Sequence, residues 1–156
     1  MRKSLALGAI SVGIVTLMSS PALASSSHPA TPRSAVRIHE IFYNSPGSDR
    51  GSNASLNAEW VDLHNHSGHA VKLTHWTLRD TAGHVYTFGT YRLKAHGDVK
   101  IHTGSGRNTR TNRYWGHSWY IWNNNGDKAT LKNASSVVRS RCSYSDPREI
   151  RASKIC

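Results

Sequence analysis

Residues 59–65, Glu59-Trp60-Val61-Asp62-Leu63-His64-Asn65, alternate in character: Val61 and Leu63 fall on one face of an extended chain, Trp60, Asp62 and His64 on the other. A helix would repeat its apolar residues at spacings of three and four, whereas a period of two specifies a strand with one buried face. Glu59 shares the face of Val61 and Leu63. It is therefore expected at a core margin with a hydrogen-bonding partner, because an unpaired buried carboxylate is costly.

The same alternation continues outward. Val71 and Leu73 oppose Lys72, Trp76 and Leu78 alternate with Thr77 and Arg79, Val99 and Ile101 with Lys100 and His102, and Ala129 and Leu131 with Thr130 and Lys132. Candidate strands are 36–43, 58–64, 69–79, 84–88, 98–103, 118–122, 127–132 and 135–140. Between them lie turn sequences such as Asn65-His66-Ser67-Gly68, Asp80-Thr81-Ala82-Gly83, His96-Gly97 and Asn124-Asn125-Gly126. Short strands without intervening helices must bury one face against another sheet, so the chain is expected to be all-β, a sandwich in preference to a barrel. Its core should hold Val61, Leu63, Leu73, Trp76, Leu78, Phe88, Ile101 and Leu131.

The chain has 156 residues, with 20 Lys+Arg against 9 Asp+Glu and a net charge of +11, enough for one domain and not two. Residues 1–24 read as a secretory signal peptide: Arg2 and Lys3 precede the apolar run Leu5–Met18, and the small-residue site Ala22-Leu23-Ala24 follows. That run falls short of the ~20 residues that cross a bilayer. Residues 25–35, rich in Ser, Pro and Thr, read as a flexible tether, and 36–156 as the folded domain. Export also decides the two cysteines. Outside the cell Cys142 and Cys156 are expected to close a disulfide loop; zinc ligation would need two further ligands nearby.

The ordered series Glu59–Asn65, Val71–Asp80 and Gly83–Phe88 resembles the bacterial lamin tail domain, an immunoglobulin-like β-sandwich. Leu93–Gly97, the turn Gly104-Ser105-Gly106 and Trp122–Leu131 agree with it, so the resemblance runs from Val36 to Val138. Two positions depart from the family pattern. His75 stands where the family places a glycine before the tryptophan, and Ala95-His96-Gly97 replaces a Pro-Gly turn. The resemblance implies the fold and leaves activity open, because a shared fold does not carry a function.

Catalytic constellations are missing from the sequence: it has no Gly-x-Ser-x-Gly elbow, no phosphate-cradling glycine loop and no His-Glu-x-x-His. His64, His66 and His69 are the best metal candidates, since three imidazoles at a strand end could converge on a transition metal, but neighbouring strand residues point to opposite faces and a solvated turn is the preferred reading, so no metal site is expected. Arg107, Arg110 and Arg113, followed by Tyr114 and Trp115, form a stretch without an acid. Cations interleaved with Asn and Thr and trailed by aromatics suit a phosphate backbone with a base stacked beside it. A second basic set, Arg139, Arg141, Arg148, Arg151 and Lys154, is diluted by Asp146 and Glu149. Of the tryptophans, Trp119 is expected to share a face with Ile121, and Tyr120 with Trp122. The expected function is a secreted, non-catalytic immunoglobulin-like binding module for an anionic partner, nucleic acid or cell-wall polymer, needing no cofactor. The alternatives are a protein–protein interaction module and a metal-dependent phosphodiesterase using His64, His66, His69 and Asp62.

Overall fold

A computed structural model describes residues 33–156; the expected signal peptide and most of the tether lie outside the described residues. The chain runs β1 (Val36–Phe42), α1 (Asn53–Ala58), β2 (Trp60–Asn65), β3 (Val71–Lys72), β4 (Thr77–Arg79), β5 (Val85–Thr87), β6 (Arg92–Leu93), β7 (Asp98–His102), β8 (Asn112–Tyr114), β9 (Gly126–Lys132), β10 (Val138–Ser145) and β11 (Ser153–Ile155). These strands form a five-stranded sheet β11-β1-β2-β7-β8, a four-stranded sheet β10-β9-β4-β5 and a two-stranded ribbon β3-β6. All pairings are antiparallel except β7 with β8.

The apolar faces read from the sequence meet in one core. Val61 and Leu63 of β2 and Val99 and Ile101 of β7 are buried with Leu78 of β4, Ala129 and Leu131 of β9, and Phe88. Trp76 is only half-buried and packs against the margin of this cluster. Glu59 is fully buried and does have partners: its Oε1 accepts from the Thr103 hydroxyl at 2.5 Å and from the amides of Ile121 and Trp122 at 2.9 and 3.2 Å.

That carboxylate accounts for one departure from expectation. Residues 118–122 form bends and no strand, because the Ile121 and Trp122 amides that would join a ladder are taken by Glu59. The alternation there fails as well: Ile121 and Trp122 are both buried, while Trp119 is exposed. The expected strand 69–79 divides into β3 and β4 around a turn in which the Trp76 amide donates to the Leu73 carbonyl. The short α1 was also unforeseen; Ser52 caps it by accepting from the Ser55 amide.

Cys142 and Cys156 are disulfide-linked, with Cα atoms 5.7 Å apart. Cys142 lies on β10, an edge of the second sheet, and Cys156 follows β11, an edge of the first. The bond therefore fastens the two sheets at one margin of the sandwich. The Cys156 amide adds a hydrogen bond to the His39 carbonyl.

Candidate functional site

The ribbon β3-β6 places Lys72 directly opposite Arg92. Like charges facing each other across a pair of strands destabilise it unless something negative lies between or beside them. The connection after β7 comes back to the same place. It ends in β8, which pairs in parallel with β7 so that Ile101 stands opposite Arg113. The Arg113 guanidinium lies over the Tyr91 ring at 4.1 Å, and the Tyr91 hydroxyl donates to the Arg110 carbonyl at 2.5 Å. The tip of the connection is built from its own polar side chains: the Asn112 amide donates to Thr109 Oγ1 and the Tyr114 amide to Asn108 Oδ1. Gly106 lets this segment lie flush on Tyr114, because a Cβ there would meet the ring at 2.5 Å.

These elements border an open cleft of about 660 Å³ lined by Lys72, Thr74, Thr90, Tyr91, Arg92, Asn108, Thr109, Arg110 and Arg113. It holds four cations and no acid. Among the described residues the ion pairs are His64 with Asp98 and His84 with Asp80, so none of the four cleft cations is neutralised by a carboxylate at bonding distance. The Arg113 Nε is buried without a partner. Burial raises the pKa of Tyr91 and Tyr86, and in each the nearby Arg113 charge opposes the rise. Hydroxyls from Thr74, Thr90 and Thr109, with the Asn108 amide, complete a lining suited to oxyanions.

Of the site residues read from the sequence, Arg110 and Arg113 meet in this cleft, while Arg107 is exposed and does not line it. Tyr114 stacks on His102 at 5.0 Å. Trp115, expected as a stacking platform, is half-buried against the core, where it meets Tyr86, His117 and Trp122. Lys72, Arg92 and Tyr91 were missed. Each is ordinary in its own stretch of sequence, and only the pairing of β3 with β6 brings them together.

The histidine candidates are not gathered. His64 Nδ1 is engaged by Asp98 at 2.6 Å, and His66 meets the His64 ring edge-on at 4.4 Å. His69 contributes its carbonyl to Asn65 and Ser67. Among the described residues no three His, Cys, Asp or Glu side chains are disposed to hold one metal ion. Arg33 and Arg37 line the same small pocket as His39 and His66, a setting that repels a cation. Burial pushes the Asp62 pKa up to about 6, and the nearby Asp98 charge adds to the rise.

Compared with known proteins, the chain matches the family model of the Lamin Tail Domain over residues 29–146. No curated protein matches it.

Proposed function

The chain belongs to the lamin tail domain family, and from that premise we propose that it is a secreted, non-catalytic binding module whose cleft takes a phosphate-bearing polymer, nucleic acid or an anionic cell-wall chain. The observation that carries this reading is the gathering of Lys72, Arg92, Arg110 and Arg113 around one acid-free cleft. A cation held over an aromatic face is pre-organised, so Arg113 loses little freedom on meeting a phosphate. The excess of positive charge over the whole chain adds long-range attraction. Secretion rests on the pattern of residues 1–24 and on the oxidised cysteine pair.

The test is retention on immobilised duplex DNA, anionic wall polymer and neutral glycan across a salt gradient. Lys72, Arg92 and Arg110 are exposed, so replacing all three with Ala leaves the core intact. On DNA the change should flatten the slope of log K against log salt by about 2.7, at ~0.9 per phosphate contact. A matched triple at Arg139, Arg148 and Arg151 should flatten it much less. Equal losses from the two triples would mean diffuse attraction and no site, and retention that survives high salt would favour a protein partner.

A further inference from the structure

A second groove, with the opposite charge character, lies beside Trp119. It measures about 350 Å³ and is lined by Trp119, Tyr120, Trp122, Asn123, Asn124 and Asn125, with the carboxylates Asp49 and Glu149 at its margins. Trp119 is 59% exposed, an unusual state for the largest apolar side chain. It is not loose. The benzo half of the indole rests on Gly51, where a Cβ would stand 2.8 Å away and where φ is +69°, so the chain passes directly beneath the ring. Its other support is Tyr120, edge-on at 5.5 Å and itself fixed by a 2.6 Å hydrogen bond between its hydroxyl and Ser55. A rigid aromatic left facing water is a platform whose ordering cost has already been met.

The polar groups beside the platform are planar amides and carboxylates. Asn124 Nδ2 donates to Asp49 Oδ2 at 3.1 Å, which fixes both side chains and leaves each with a further acceptor oxygen. Among the described residues the Asn125 amide and the Glu149 carboxylate make no hydrogen bond, and the groove lining contains no Lys or Arg. Glu149 is held at φ +53°, a conformation that favours glycine, so a carboxylate stands where backbone geometry would select against it.

We propose that this groove binds an uncharged pyranose glycan. A sugar ring offers an apolar C–H face to the indole and equatorial hydroxyls, in neighbouring pairs, to planar amide and carboxylate groups. The two carboxylates exclude sugars bearing phosphate or uronate, and so separate this ligand from the polyanion of the Arg-lined cleft. The two sites stand on different residues, and neither depends on the other.

Calorimetric titration of the full chain with a cello-oligosaccharide, a chito-oligosaccharide and an oligogalacturonate, at low and high salt, tests the assignment. At least one neutral oligosaccharide should bind with an affinity that salt does not change. Trp119→Ala should weaken that binding by about tenfold or more, and Trp119→Phe should retain part of it. Asp49→Asn should leave neutral binding measurable while adding a Trp119-dependent uptake of the oligogalacturonate. The thermal unfolding midpoint of each variant checks that the fold is kept, and the Lys72, Arg92 and Arg110 triple should bind the neutral glycan as the parent does. The proposal is overturned if neither neutral oligosaccharide binds, if Trp119→Ala binds as well as the parent, or if the parent takes up oligogalacturonate in a Trp119-dependent manner.

Discussion

At Glu59 one carboxylate oxygen accepts three hydrogen bonds, while the other, Oε2, is buried without a partner. Removal from water dominates and pushes the pKa up to about 7, against the lowering by the Thr103 hydroxyl and the Ile121 and Trp122 amides. Below the ordinary carboxylate range both folded and unfolded chains hold the proton. As pH rises from 4.5 to about 7 the unfolded chain releases it while the folded chain keeps it, so stability falls through that window and levels off above it. Glu59→Gln keeps an acceptor at Oε1 and has no proton to release. Urea unfolding of both proteins across that range should give a flatter profile for the variant, the difference reaching on the order of 3 kcal/mol at 1.36 kcal/mol per pH unit. Parallel profiles would mean that Glu59 ionises as readily in the fold as outside it. The same residue shows why a strand pattern misleads at 118–122: a side chain can satisfy backbone amides as well as a neighbouring strand does.

Two turns show sequence and element in tension. His75 and His96 both have positive φ, 64° and 50°, at the two positions where the sequence departs from the family pattern. At His75 the left-handed conformation is held without a glycine, since the His75 amide donates to the Phe88 carbonyl and ties the turn before β4 to the residue after β5. His75→Gly relieves the left-handed strain and should be neutral or stabilising by about 0.5–1 kcal/mol, despite the greater freedom glycine adds to the unfolded chain. A fall of that size in thermal or urea stability would show that the imidazole itself is needed. The central strands β7 and β9 were legible because each buries one face and therefore alternates, and β2 because its apolar residues alternate in sequence although Asp62 on its other face is buried as well. The edge strands β6, β8 and β11 were not, since a two- or three-residue edge needs no apolar period and is held by its neighbour. The cleft was half-legible for the same reason. Arg110 and Arg113 sit within one acid-free run of sequence, whereas Lys72 and Arg92 become neighbours only through strand register.

On the scale of the whole molecule, the last described segment lies outside the family match, which ends at residue 146, yet it completes the five-stranded sheet. Its anchors are the β11 pairing with β1, the disulfide, and Asp146, whose Oδ2 accepts from the Arg151 amide and the Tyr43 hydroxyl. The Arg151 amide is the main reason the Asp146 pKa is lowered. Cys142→Ser opens the loop and should lower stability by roughly 2 to 4 kcal/mol, read by urea unfolding under oxidising conditions. An unchanged midpoint would mean that hydrogen bonds alone hold the segment. Should β11 detach, the Glu40–Phe42 stretch of β1 keeps β2 on one side and presents bare amides and carbonyls on the other. A second molecule can then supply the missing strand. The covalent clasp is thus expected to act as a stopper on polymerisation that reduction would draw, and the mean mass from light scattering should grow with concentration for the reduced protein while that of the oxidised form stays constant.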